Sequence, residues 1–302
     1  MTIRFYVHQQ VSGNVAEIEL DRPEAFNAID EYMSQKLFYV LEQWQQDSSI
    51  KLIIIRSSSE HFCAGADLKV LQQQSGVTAG SNEDYIYRQY QIIDMVRHSS
   101  IPVLVMASGN VMGFGAGLFM AAQYRVIAEH VTFQMPECSI GFFPDVGAAK
   151  FLTLFPAEIV TAMLESGHSI SGGDLVNSDL INQVLALSDF ASFVAMAIKN
   201  SGQLSFNNSL VASDAKTQII RAPSPSSLAY SKLMMQLAAD LSYKQLLEYE
   251  YALARFLVNS QEFNSGITAF FAKRAACWQQ LPDNINLVHL TALKEQYGYF
   301  AK

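Results

Sequence analysis

Apolar and polar positions change their period several times along the chain. "NVAEIEL" (14–20) alternates with period two and predicts a strand. A turn-rich "DRPEAFNAID" follows. Asp30 then stands where it can cap a helix running to about Gln46, with Tyr32, Met33, Leu37, Val40, Leu41 and Trp44 on one face. "KLIIIRS" (51–57) and "PVLVMASG" (102–109) are continuous apolar runs, the pattern of strands buried on both faces of a parallel sheet. "HFCAGADL" (61–68) reads as a loop of small residues and 84–97 as a helix. "MGFGAGLFMAAQ" turns into a helix and "YRVIAE" is a third apolar strand. "AAKFLTLFP" and "AEIVTAMLESG" are helical, and "DLINQVLA" holds another short strand. This alternation predicts a sheet layered with helices. From 203 to 226 the chain turns polar, ending in "APSPSS". Helices are then expected over 227–240, 242–259, 262–277 and 285–298. The organisation read here is an α/β core over residues 1–202, then a loop and an all-helical region over 203–302.

Composition narrows the function classes. Of 302 residues half are hydrophobic and 16% charged, which suits a packed globular chain rather than a disordered one. A net charge of −8 argues against a nucleic-acid partner, because phosphate binding needs a basic face. "MTIRFYVHQQ" lacks a basic segment leading into an apolar run, and no stretch of 18 apolar residues occurs, so neither a secretory signal nor a membrane span is expected. Cys63, Cys138 and Cys277 have no paired spacing, in keeping with a reducing cytoplasm. The histidines are scattered without metal-ligand spacing, and neither a G-x-S-x-G elbow nor a P-loop is present.

Two loops carry closely spaced small residues: Cys63-Ala64-Gly65-Ala66-Asp67 and Gly113-Phe114-Gly115-Ala116-Gly117. Each follows a strand and leads into a helix. Small side chains let a ligand approach the backbone, and N–H groups at a helix start point outward with partial positive charge. Two such loops side by side could aim two N–H groups at one oxygen, the geometry of an oxyanion hole. Close helix–strand packing without a ligand is the plain alternative. A dinucleotide site is disfavoured, since the second loop lacks the third glycine and the ribose-binding acid. Cys63 has His61 near it in sequence, but a buried free cysteine is ordinarily inert.

"MPECSIGFFPDVG" (135–147) sets Glu137 and Asp145 in an apolar run. On a continuous helix residues eight apart would be about 12 Å apart along the axis. Gly141, Phe142-Phe143 and Pro144 argue for a turn, which could fold both acids toward one pocket and raise one pKa. Asp145 also precedes "VGAAKFLTLF" and could serve only as a helix cap. Glu137 has no Lys or Arg partner between 126 and 149, and a buried glutamate without one is costly, which favours a functional role.

Taken together, "RPEAFNA", "HFCAGADL", "GNVMGFGAGL", "YRVIAE" and "MPECSIGFFPDVGAAKFL" resemble the crotonase, or enoyl-CoA hydratase/isomerase, superfamily over most of the chain. "SPSSLAYSK" and "EFNSGITAFFAKR" match its helical region. Within it the spacing of "MPE" and "FPDVG" looks most like the hydrolases of 3-hydroxyisobutyryl-CoA. The resemblance implies a spiral of β-β-α turns, which periodicity alone does not separate from a doubly wound sheet. It implies an acyl-CoA substrate, no cofactor beyond the CoA the substrate carries, and a trimer or dimer of trimers. The thioester oxygen would be held by the N–H groups of Ala66 and Phe114. Ala64, Gly65, Asp67 and Leu68 would lie along the CoA, with Gln89 and Gly113 also in the binding site and Lys273 near the nucleotide end. Hydratases carry two glutamates: one matches Glu137, but the other matches Gly117. Asp145 occupies a position that is acidic in the hydrolases and in dienoyl-CoA isomerases. The expectation is a short-chain acyl-CoA hydrolase in which Glu137 attacks the carbonyl or activates water while Asp145 assists. An isomerase or hydratase is the alternative. A non-catalytic CoA-thioester binder is the third reading, kept open by Phe114 where the hydrolases have glycine and Gln89 where they have an acid.

Overall fold

The computed structural model describes residues 6–74, 81–207, 211–216, 221–279 and 285–297. Its strands are β1 (Val7–Ser12), β2 (Val15–Leu20), β3 (Leu52–Ser57), β4 (Val103–Met112), β5 (Tyr124–Gln134), β6 (Ile170–Ser171) and β7 (Gln183–Leu185). The helices α1 (Glu31–Gln45), α2 (Leu68–Gln74), α3 (Ser81–Arg97) and α4 (Gly113–Ala121) intervene before β5. They are followed by α5 (Ala148–Leu152), α6 (Ala157–Ser166), α7 (Gly172–Asn177) and α8 (Phe190–Lys199), and then by α9 (Pro225–Asp240), α10 (Tyr243–Val258), α11 (Gln261–Phe271) and α12 (Leu287–Tyr297). Among these, β1, α2, β6 and α8 lie where no element was expected. The α11 helix ends at Phe271, short of 277. Its C-cap is Ala272, and Lys273 then takes φ +51, which ends the helical hydrogen-bond pattern. Residue 298, the expected end of α12, lies outside the described residues.

The sheet order is β1-β2-β3-β4-β5-β6, with β7 paired to β5. An antiparallel β1–β2 pair (Val7 opposite Leu20) leads into parallel β2–β3 (Val15 opposite Leu52) and β3–β4 (Ile53 opposite Val103) pairs. Parallel β5–β7 pairing sets Val126 opposite Gln183. The apolar runs of β3 and β4 are buried as their composition requires. Phe190, Phe193, Val194 and Ala197 of α8 pack against Val15, Leu52, Ile54, Leu104, Met106 and Val126 of the sheet. Asp30 caps α1 as expected, its side chain accepting from the Met33 N–H at 2.8 Å.

Two compact units emerge, neither continuous in sequence. The first comprises Met1–Ala66, Ile92–Phe133 and Ile170–Lys216; the second Asp67–Gln91, Gln134–Ser169 and Thr217–Lys302. The sheet belongs to the first and helices α9–α12 to the second. No helix among the described residues is long and apolar enough to cross a membrane.

Candidate active site

In the first unit the two glycine loops are laced together by backbone. Cys63 N–H donates to Asn110 O at 3.1 Å, and Met112 N–H donates to Cys63 O at 2.9 Å. Gly65 O accepts from Ile29 N–H at 2.8 Å, and Ala64 N–H donates to Phe26 O at 2.9 Å. Gly65 has φ +98, and a Cβ there would fall 3.2 Å from Met112 O, 3.3 Å from Gly113 Cα and 3.5 Å from Phe114 N. A side chain at 65 is therefore disfavoured twice, strained by the torsion and crowded by Met112 O and Gly113 Cα. Phe114 lies in the first turn of α4, whose N-cap Met112 offers no side-chain acceptor, and first-turn N–H groups lack intrahelical partners. The loops thus bring Ala66 and Phe114 into the same backbone assembly. Cys63 is no nucleophile: burial pushes its thiol up to about 12, and its Sγ donates to Asn27 O at 3.2 Å.

In the second unit "ECSI" forms a 3₁₀ turn, Glu137–Ile140, ended by Gly141 with φ +76. The chain reverses there, as Gly141 and Pro144 predict, and Glu137 and Asp145 are both buried. Glu137 Oε2 is buried without a hydrogen-bond partner among the described residues. Burial first, and then the charge of Asp145, pushes the Glu137 carboxyl well above its ordinary range. Burial pushes Asp145 up to about 7, while the Tyr90 hydroxyl, reaching it from α3, pulls it part of the way back. The charge of Asp145 thus adds to burial in raising Glu137.

Asp145 does not cap α5 with its side chain. The N-cap of α5 is Gly147, without a side-chain bond. The acceptor is Glu250 of α10, whose Oε2 takes the Gly147 N–H at 2.6 Å. Sequence reading missed this residue. Its signal was an acid set among Leu246, Leu247, Tyr251, Ala254 and Leu257 on the apolar stripe of an amphipathic helix.

Other expected residues take varied places in the second unit. Asp67 Oδ1 accepts from Lys69 N–H at 2.9 Å, and the Asp67 N–H donates to the Tyr85 hydroxyl at 3.1 Å, so Asp67 organises the start of α2, where Leu68 is the first residue. Gln89 is buried on α3, and its Nε2 has no partner among the described residues. Lys273 lines a cavity of about 760 Å³ together with Ser139, Glu165, Arg221, Phe270 and Arg274. Arg221, also missed, lies with its guanidinium carbon 4.4 Å from the centre of the Phe270 ring. Among the described residues no group of three or more His, Cys, Asp or Glu side chains is arranged to hold a metal ion.

Comparison with known proteins agrees with this arrangement at the level of family and fold. The profile of the family described as "Enoyl-CoA hydratase/isomerase" matches residues 15–213. The mitochondrial 3-hydroxyisobutyryl-CoA hydrolase of Gallus gallus is 31% identical over 172 residues, 57% of this chain and 45% of that protein. Small ribosomal subunit protein mS47 of Neurospora crassa is 35% identical over 152 residues, 48% of this chain and 30% of that protein. The chain thus spans less than half the length of either relative. An enoyl-CoA hydratase from Rhodobacter sphaeroides superposes with a TM-score of 0.83 at 22% identity, covering 96% of this chain and 97% of that one. The fold is the crotonase fold, with a helical C-terminal region.

Proposed function

The chain belongs to the enoyl-CoA hydratase/isomerase family, and on that footing we propose that it hydrolyses a short acyl-CoA thioester, such as 3-hydroxyisobutyryl-CoA or a similar 3-hydroxyacyl-CoA. The observation that supports this reading is the burial of Glu137 and Asp145, two carboxyls whose proton affinities are both raised. Such a pair suits chemistry near neutral pH. In this reading the Ala66 and Phe114 N–H groups polarise the thioester carbonyl and stabilise the oxyanion; one such donor is worth about 2.7–4 kcal/mol in the transition state. Glu137 attacks the carbonyl carbon to form an anhydride, or removes a proton from the attacking water. Asp145 orients a substrate hydroxyl or relays the proton that the departing thiolate takes up. The net reaction consumes water and yields an acid and free CoA thiol.

Lys273, Arg221 and Arg274 support a CoA ligand, because a nucleotide's phosphates match a cavity edged by three cations. Ala64, Gly65, Leu68 and Gly113 line the ligand's path in this reading, and the unpartnered Gln89 amide is a donor available to the acyl group. Asp67, engaged at the start of α2, supports that path by position. Assembly as a homotrimer or dimer of trimers, and residence in the reducing cytoplasm with Cys63, Cys138 and Cys277 free, complete the proposal.

Two carboxyls of raised proton affinity also suit proton transfer between two carbons, so isomerisation of an enoyl- or dienoyl-CoA is the second reading. The ribosomal relative motivates a third, CoA-thioester binding without turnover. Thiol release measured against a panel of short acyl-, 3-hydroxyacyl- and dienoyl-CoAs separates them. Free thiol supports hydrolysis. A shifted diene absorbance without thiol supports isomerisation, and binding without either change supports the third.

A further inference from the structure

Glu250 belongs to no motif, yet it is 0% exposed. An unpartnered carboxylate so placed would be costly, so its surroundings must neutralise or hydrogen-bond it. Its Oε2 accepts from Gly147 N–H at 2.6 Å, and the Ala149 N–H also bonds to the carboxyl. These are donors at the start of α5, the turn directly after Asp145. A side chain 103 residues away therefore supplies the cap that this short helix lacks locally.

The backbone it holds is strained. Val146 has φ +54, a left-handed conformation that a β-branched residue rarely adopts and that costs on the order of 1–3 kcal/mol. Gly147 follows at φ +90, and a Cβ there would lie 2.6 Å from Tyr243 Cε2 on α10. Such a conformation persists only where neighbours over-determine it. Glu250 and Tyr243 are those neighbours, and both come from α10.

We propose that Glu250 is a positioning residue for Asp145: it holds the strained Val146–Gly147 backbone through the N–H groups at 147 and 149. The inference rests on the reading in which Asp145 serves the reaction.

The charges around the pair agree with this role. Burial pushes Glu250 up to about 8; the Gly147 N–H pulls it back and the Asp145 charge pushes it up again. The Tyr90 hydroxyl on α3 feels both carboxyls, and Glu137 feels Asp145. Among the described residues, the charge named as acting on both Glu137 and Glu250 is that of Asp145. Lys150 of α5 donates to Ala238 O and Leu241 O, and Arg255 of α10 pairs with Glu83. Lys294 of α12 pairs with Glu248, Lys232 of α9 pairs with Glu165, and Glu262 of α11 accepts from Ser224.

The test uses the full chain with ¹³C-labelled carboxyls and amide hydrogen exchange, in the wild type and in Asp145→Asn, Glu250→Gln and Glu250→Ala. The Glu250 carboxyl should titrate lower in Asp145→Asn than in the wild type. Exchange at Gly147 should stay slow in Glu250→Gln, whose amide oxygen still accepts, and should quicken at least ~10-fold in Glu250→Ala. Where thiol release is measurable, kcat should fall further in Glu250→Ala than in Glu250→Gln with KM little changed. An unmoved Glu250 titration in Asp145→Asn overturns the proposal. So does equal Gly147 exchange in Glu250→Gln and Glu250→Ala. If Glu250→Ala does not fold, the titration in Asp145→Asn decides. If the wild type releases no thiol from any acyl-CoA, the thioester reading fails, while titration and exchange still judge Glu250.

Discussion

Gly65 and Phe114 stand so close that a Cβ on the glycine would fall 3.5 Å from the Phe114 nitrogen. That approach joins two loops separated by almost fifty residues, and a Cβ would also press on Met112 O at 3.2 Å and Gly113 Cα at 3.3 Å, so a branched side chain would crowd them. Gly65→Val should therefore displace the N–H groups at 66 and 114 and lower kcat/KM for thioester cleavage by about 10² or more. The left-handed φ adds a stability cost of about 1–3 kcal/mol. Thiol-release kinetics beside a thermal melt check both. Full turnover in a folded variant would remove these loops from the chemistry.

Glu137→Gln keeps the shape of the side chain and removes its proton chemistry. The expected loss in kcat is about 10²–10⁴, with CoA-thioester binding by calorimetry within a few-fold of wild type. Near-wild-type turnover would rule out Glu137 as nucleophile or base.

Asp145 has a stability consequence whose sign is fixed. In the unfolded chain it ionises near its ordinary 3.8, in the fold only near 7. Between those values the native state binds the extra proton. Its contribution is fully present below about pH 4, declines as pH rises, and is lost above about 7. Asp145→Asn removes this dependence. Its stability gain over wild type should be small at pH 4 and largest at pH 8, on the order of a few kcal/mol there, while activity falls. Melts across that range decide it, and a pH-independent gain would contradict the buried, proton-holding state of Asp145.

The cation-edged cavity predicts a split by substrate length. Lys273→Ala, or Arg221→Ala, should raise KM about 10-fold for full CoA thioesters and leave KM unchanged for the matching pantetheine thioesters, which lack the nucleotide. Equal effects on both would place the nucleotide elsewhere.

Much of this was legible beforehand. The period-two run at 14–20, the apolar strands, the Asp30 cap and the reversal at Gly141 rest on local spacing, which a chain carries wherever it folds. The β1 strand was not legible. Its pattern is mostly polar, and its pairing comes from backbone bonds to β2 rather than from an apolar face. The choice between cap and chemistry for Asp145 was also open. The local sequence offered a cap, and the fold supplied another from α10.

What the sequence determined by itself was which residues could act: two glycine loops, and two acids set behind prolines in an apolar turn. Only the tertiary structure decided the state of those acids. Proton affinity depends on burial and on charges brought near through space, and the groups that raise or restrain Asp145 and Glu250 come from α3 and the 145–149 turn. Sequence periodicity reports the face a residue occupies, but not the distant carboxyl that will share its surroundings.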